Sequence, residues 1–543
     1  MSARPLLTPT DLFEPHEGEV EMKFEIARFC ADKLQPLATR AIRIEHFDEG
    51  IYDESVQIFI EFGAHRWAIP EALGGDGPIS GRLYAWFTRM SAAIPGAADL
   101  ALNIGVTISL GSKPLTTYGL TQVHDEEVFL RVVRDLLNGA IVCYAQTEPD
   151  VGSDVTAIGM KVEHVDGVWK LTGTKRFIGG GWKADYALVA ARTEGDAGDQ
   201  AGISVFLVDC NEARANGTLD SSSNEIKLGL PHSPTTEMVF TNAAALGVVG
   251  PLHDGYRRVL LPTLVDSRAT ETTAQAVGLM DAAITEAVTF AEKRKQFGEP
   301  IVKLDKILDM LLQMRANRQM AWLLNLQSAT LRDACNEITP GDSRPYAMVA
   351  ALAKLFGGEV VRQVAITGLQ THGGAGYIQE SPITRVLRDA FIVGIYNGTS
   401  QIQGLIILEN LRRMHTRGEL APEAWPFVTI PDDALSGWHE AAKEAGVLKR
   451  RQTLQTIYIQ LAETHLRTDQ NQHPLLHDWV WALANHWAAE LVLWQQVYAD
   501  AQRWDDARRK AEGVEEDVVH RAQRIAQTAL DDLKNGLLEA NII

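Results

Sequence analysis

The chain has 543 residues, 46% hydrophobic and 22% charged, with a formal net charge of −19. That length exceeds one ordinary core and predicts about two to four domains, while the composition is that of a soluble globular protein rather than a disordered one. The acidic balance argues against a nucleic-acid binder, because no basic surplus exists to neutralise phosphates.

Cys30, Cys143, Cys210 and Cys335 are far apart and form no CxxC pair. They predict buried thiols in a reducing compartment, with neither a metal site nor a disulfide framework. Residues 1–25 lack the apolar core of a signal peptide, and no apolar run reaches the length of a bilayer span. The expectation is an intracellular, cytoplasmic protein without an integral membrane segment.

From Glu19 to about Asn138 the apolar residues recur at helical spacing, as in Phe24, Ala27, Leu34 and Leu37, then Val56, Phe59 and Phe62. Ile69-Pro70-Glu71-Ala72-Leu73-Gly74-Gly75 breaks this pattern as a loop. Residues 100–110 read as a small apolar helix suited to an interior. At Ala140 the period changes to two. Alternating segments at 160–165, 169–173, 187–192, 203–209 and 237–241 predict a small β-barrel or sandwich. Thr147-Glu148-Pro149-Asp150-Val151-Gly152-Ser153-Asp154 is a polar turn that, taken alone, favours a structural role over holding a polar ligand.

Residues 258–281, 282–295 and 304–331 read as long amphipathic helices rich in Ala and Leu. Arg294-Lys295-Gln296-Phe297-Gly298 has the look of any basic helix end closed by glycine. A Gly-rich loop follows at Gln370-x-x-Gly373-Gly374-x-Gly376-Tyr377. The run Ile392-Val393-Gly394-Ile395 then feeds an abrupt Tyr396-Asn397-Gly398-Thr399, and a helix-like segment spans 401–414. Gly398 lets the backbone approach a flat ligand with no Cβ in the way. Thr399 or Ser400 suits an N-cap, and the free N–H groups of a helix start favour an anionic group. Beyond Arg413, prolines at 422, 426 and 431 mark a linker. Helices are predicted at 435–445, 449–467, 474–508 and 514–539. Trp479, Trp481, Trp487 and Trp494 fall in the third of these and predict an interface. Mixed charge along these helices disfavours a membrane-binding role.

Arg388-Asp389-Ala390 followed by Ile395-Tyr396-x-Gly398-Thr399-Ser400-Gln401-Ile402 closely resembles the C-terminal active-site turn of the acyl-CoA dehydrogenase family. With the polar turn at 147–154, Lys175-Arg176-Phe177-Ile178-Gly179, the pentapeptide at 294–298 and the Gly-rich loop, this makes five similar segments in the family's order. The resemblance implies an α+β, mostly helical fold: a helical domain (1–139), a β-domain (140–252), a helical bundle (253–415) and a helical extension (416–543). It implies FAD bound at a dimer interface. Thr147 would bond the flavin ring and Phe177 would shield it, while Gly179 replaces a hydroxyl residue and keeps only its backbone N–H. Arg294, Gln296 and Phe297 would reach the cofactor's pyrophosphate and adenine across the dimer. Gln370, Gly373 and Gly374 would meet the adenosine, and Thr399 and Gln401 belong to the same cofactor site. Ser153, Tyr396 and Gly398 would touch the acyl-CoA. Val151 and Leu304-Asp305 depart from the family pattern.

In most members x is the glutamate that removes the α-proton of the acyl-CoA. Here x is Asn397, whose amide has no titratable group in range. A second position that carries the base in some relatives is Arg268, which is no base either. Glu271 lies about one turn on and shares its helix face, and Asp266 is on the same stretch. Either carboxylate is a candidate relocated base, and Glu271 is equally a candidate for a structural ion pair with Arg268. The implied activity is α,β-oxidation of an acyl-CoA thioester, with electrons passed to an electron-transfer flavoprotein. The backbone N–H of Asn397 would polarise the thioester oxygen. Altered chemistry, such as β-elimination or oxygenation, and a non-catalytic FAD- or acyl-CoA-binding protein are the alternatives.

Overall fold

The computed structural model describes residues 7, 9–123, 127–417, 476–502 and 504–539, and the chain divides into two units. One comprises Glu25–Ser80 and Met90–Ser267, the other Met1–Phe24, Gly81–Arg89 and Arg268–Ile543. Among the described residues no helix is long and apolar enough to cross a membrane. All four cysteines are buried free thiols.

The first unit carries nine strands in a single sheet: β1 (Leu120–Thr121), β2 (Val142–Ala145), β3 (Lys161–Val165), β4 (Val168–Gly179), β5 (Tyr186–Arg192), β6 (Ile203–Asp209), β7 (Leu219–Asp220), β8 (Thr235–Ala244) and β9 (Gly247–Val249). Their order is β1-β9-β6-β5-β3-β4-β8-β7, with β2 parallel beside β5. Nearly every residue of β5 and β6 is buried, and their sequences are accordingly continuous apolar runs rather than alternations. Leu188, Val205 and Leu207 form one core with the helical residues Leu115, Val132 and Leu136. Asp48 caps Glu49–Glu61 by accepting from the Ile51 N–H at 2.9 Å. A buried polar knot joins helix and sheet: Asp99 accepts from His232 N at 2.9 Å, and Asn103 donates to the His232 carbonyl at 3.0 Å.

The second unit is a bundle of α1 (Thr273–Lys293), α2 (Asp305–Ile338), α3 (Ala347–His372) and α4 (Ser400–Thr416), joined by α5 (Leu476–Ala501) and α6 (Glu516–Glu539). A wide π turn, Arg268–Thr272, leads into α1. Helix α3 is central: it packs on α1, α2 and α4, and residues 348–358 are all buried. Gly358 makes this possible, since a Cβ there would come within 3.1 Å of Gly394. The boundary expected between 281 and 282 does not exist. Asp281 has no breaker beside it and lies mid-helix in α1, where it accepts from Arg89 at 2.7 Å and pairs with Arg318 at 3.1 Å.

The C-terminal tryptophans correct an expectation. Trp479, Trp487 and Trp494 are core residues of this unit, not an exposed interface. Trp487 Nε1 donates to Gln327 Oε1 at 3.0 Å, and Trp481 stacks on Phe356 at 5.6 Å. The amphipathic faces of α5 and α6 are covered by each other and by α2. The helix expected at 474–508 ends at Ala501, because Asp505 caps a new helix, Asp506–Glu512, through the Arg508 N–H at 2.7 Å. The expected linker and the helices at 435–445 and 449–467 lie outside the described residues.

Candidate active site

The turn at 396–399 is held from all sides within the bundle unit. Arg268 Nε donates to the Asn397 carbonyl at 3.1 Å. Gln403 Nε2 donates to the carbonyls of Asn397 and Gly398 at 3.2 and 3.0 Å. Lys354 Nζ donates to the Gly398 carbonyl at 2.6 Å. The Asn397 side chain donates to Thr272 Oγ1 at 3.2 Å, and the Tyr396 hydroxyl donates to Gln275 Oε1 at 2.5 Å. Asn397 and Gly398 are both left-handed, at φ 54° and 85°. Asparagine is one of the few non-glycine residues at ease there. At Gly398 a Cβ would also lie 2.7 Å from Gln403 Nε2. Thr399 is the N-cap of α4, its hydroxyl accepting from Ile402 N at 3.4 Å.

Three residues that grip this turn, Arg268, Thr272 and Gln275, come from the π turn and the first turn of α1. That element also carries Glu271, which is buried at 6% exposure. π turns recur at functional sites because the extra residue re-aims neighbouring side chains. The Tyr84 hydroxyl donates to Glu271 Oε1 at 3.4 Å. Burial and the nearby Glu271 carboxylate push the Tyr396 phenol well above its ordinary range, so it remains a protonated donor at neutral pH. Asp266, the other candidate base, is ion-paired with Lys113.

Burial and the Arg268 cation push the Lys354 ammonium down to about 7. Sequence reasoning missed Lys354 and Gln403. The signal for Lys354 was a lone charge in the apolar run Ala351-Leu352-Ala353-Lys354-Leu355-Phe356.

In the sheet unit, the Thr147 carbonyl accepts from Arg176 N at 2.8 Å, which seats the polar turn against β4. Glu148 anchors that turn, accepting from Gly159 N at 3.0 Å, Met160 N at 3.1 Å and the buried Lys175 at 2.8 Å. Burial pushes Lys175 down to about 8 despite its partner Glu148. The register of β4 against β8 shifts between Lys175 and Ile178. This bulge carries Phe177 at φ 59° with its ring 58% exposed and the Arg176 guanidinium 4.9 Å from the ring centroid. An aromatic residue pushed outward at a positive φ has no packing reason to be there. Gly179 pairs with Thr235 at the end of β4, and Ser153 is exposed on its turn.

The pentapeptide at 294–298 is not simply a helix end. Helix α1 stops at Lys293, and Lys295–Gln296 pairs antiparallel with Glu299–Pro300. Phe297 and Gly298 occupy the corner at φ 53° and 90°, as a type I′ hairpin requires. The returning Glu299-Pro300 strand accounts for the difference. Phe297 projects with 92% exposure, and Arg294 and Gln296 are exposed beside it. Gln370, Gly373 and Gly374 are exposed where α3 ends. Phe290 packs on His372 at 4.5 Å, which places hairpin and Gly-rich turn at the same end of the bundle. Gln401 is exposed in the first turn of α4.

The middle-domain model of the acyl-CoA dehydrogenases matches residues 143–243, and their C-terminal-domain model matches 254–412. A probable acyl-CoA dehydrogenase of Mycobacterium tuberculosis is 30% identical over 406 residues, which cover 74% of this chain and 97% of that protein. The structure of butyryl-CoA dehydrogenase from Megasphaera elsdenii superposes with a TM-score of 0.65 at 26% identity, over 74% of this chain and 99% of that one. An acyl-CoA dehydrogenase from Bacillus anthracis, solved with FAD, shares the fold with a TM-score of 0.75 at 21% identity. That likeness covers 98% of this chain and 93% of the other.

Proposed function

We propose that this chain, which belongs to the acyl-CoA dehydrogenase family, is an FAD-dependent enzyme that oxidises an acyl-CoA thioester between its α and β carbons, with Glu271 as the base. The observation that carries this reading is the π turn. It buries Glu271 on the same short element that grips Asn397 and Tyr396 through Arg268, Thr272 and Gln275.

The residues present fit the cofactor. The outward Phe177 ring offers a platform for a flat ring system, and Thr147 and the Gly179 N–H offer polar contacts at its edge. The exposed Arg294, Gln296, Phe297, Gln370, Gly373, Gly374 and Gln401, with the half-buried Thr399, would hold its pyrophosphate and adenosine parts. Bound FAD supplies the hydride acceptor. Ser153, Tyr396 and Gly398 would contact the acyl-CoA, and the Asn397 backbone N–H would donate to the thioester oxygen. Glu271, oriented by the Tyr84 hydroxyl, would take the α-proton onto its carboxylate. The Asn397 side chain takes no proton.

We read the chain as four functional segments, 1–139, 140–252, 253–415 and 416–543, and as a cytoplasmic homodimer that passes electrons to an electron-transfer flavoprotein. Coverage of one bundle face by α5 and α6 supports the dimer over larger assemblies. A second reading, elimination of a β-substituent or oxygenation, draws on Asn397 itself, since neither reaction needs a carboxylate at that position.

The test is an anaerobic titration of the yellow protein with saturated acyl-CoAs of increasing length. Flavin bleaching supports dehydrogenation. Binding without bleaching, accompanied by oxygen uptake or release of a β-substituent, supports the second reading.

A further inference from the structure

We propose that Lys354 is a positioning residue for the reacting turn: from the middle of α3 it locks the Gly398 carbonyl and so fixes which way the Thr399 backbone N–H points. Helix α3 carries an unexpected residue in its buried middle. Residues 348–358 are all buried, and Lys354 alone among them carries a charged head. Burying an ammonium costs on the order of several kcal/mol unless partners offset it. Its Nζ reaches 44 residues along the chain to the Gly398 carbonyl, at 2.6 Å.

That bond completes a set. Two consecutive carbonyls, those of Asn397 and Gly398, receive three side-chain donors: the Arg268 guanidinium, the Gln403 amide and the Lys354 head. A trans peptide is planar, with its N–H antiparallel to its C=O. Pinning both carbonyls therefore turns the Gly398 and Thr399 N–H groups away from Arg268, Gln403 and Lys354. The same two constraints hold Asn397 and Gly398 in their left-handed conformations, which an unsupported asparagine leaves easily. Arg268 and Gln403 meet at the Asn397 carbonyl, whereas the Gly398 carbonyl has only the Gln403 amide besides Lys354 among the contacts described. The Lys354 bond, at 2.6 Å against 3.0 Å for the amide, is the shorter of the two. Lys354 is thus the principal constraint on the second of the two peptide planes.

The catalytic consequence rests on the proposed function, because the Gly398 and Thr399 N–H groups matter only if acyl-CoA and cofactor bind at this turn. The conformational claim does not. Both are read on the FAD-loaded full chain carrying Lys354→Met, which keeps the bulk of the side chain and removes its donor. Amide hydrogen exchange across 395–400 should accelerate at least about tenfold while exchange within α2 stays unchanged. Flavin content and the far-UV circular dichroism should hold. Flavin reduction by acyl-CoA should fall at least tenfold in rate, with little change in the substrate concentration for half-saturation.

Unchanged exchange at 395–400 in Lys354→Met overturns the proposal, whatever happens to activity. Faster exchange in a protein whose wild type is not reduced by any acyl-CoA sustains the positioning claim and sinks the function assigned above. Lys354→Arg, which keeps a charged donor, should recover slow exchange. If both variants fail to fold by circular dichroism, Lys354 serves global stability and the proposal is wrong.

Discussion

Lys354 shows how one side chain couples stability to pH. Its folded-state pKa is pushed from 10.5 down to about 7 by burial first and by the Arg268 cation second; the Arg362 charge adds to this and Glu359 opposes it. The unfolded chain therefore binds more protons than the folded one between those values, so this lysine's contribution to stability rises with pH across that window. Its stabilising part is complete above 10.5 and is lost as pH falls to about 7. Relative to Lys354→Met, the wild-type thermal midpoint should accordingly be higher at pH 9.5 than at pH 7. A difference between the two proteins that stays flat over that interval would contradict the assignment. At this scale the sequence displayed which residue types meet at the turn and at the approach to α1, among them Asn397, Arg268 and Glu271. It could not display what each side chain bonds. The partner of Lys354 lies 44 residues away, and contacts of that range are set by how helices pack, not by local pattern.

The hairpin at 295–300 separates two reasons for a residue to be present. Phe297 sits at φ 53° with its ring 92% exposed, so its removal costs the fold little: surface changes of this kind stay within about 0.5 kcal/mol. Phe297→Ala should leave the thermal midpoint of the flavin-free protein unchanged yet make the loaded protein lose FAD on dilution or gel filtration. A retained flavin would remove Phe297 from the cofactor site. A basic pair followed by Gln-Phe-Gly reads equally as a helix end and as a hairpin corner, and only the pairing of Glu299–Pro300 back onto Lys295–Gln296 distinguishes them. The strand positions from Ala140 onward were legible, but β5 and β6 are buried on both faces, so continuous apolar runs mark them rather than the alternation expected there. The bulge that turns Phe177 outward lay below that resolution, because one unpaired residue leaves the alternation around it intact.

For the whole molecule, the C-terminal helices are part of the bundle's core rather than an appendage. Trp487 is 3% exposed and donates to Gln327 on α2. Trp487→Ala should cost about 3–5 kcal/mol of stability in denaturant unfolding, and a loss below 1 kcal/mol would show that α5 merely rests on the bundle. The sequence revealed these helices but not their cover. An amphipathic face states that something packs on it, not whether the partner is the same chain.

The central claim spans both scales: a family member whose usual base is gone oxidises acyl-CoA with a carboxylate moved one turn along a neighbouring helix. The most direct measurement is single-turnover flavin reduction, under anaerobic conditions, of wild type and Glu271→Gln with whichever acyl-CoA bleaches the wild type fastest. The account predicts that the variant keeps its FAD and still binds the thioester, while its reduction slows by about a hundredfold or more. Reduction at the wild-type rate would contradict it and return Glu271 to a structural role.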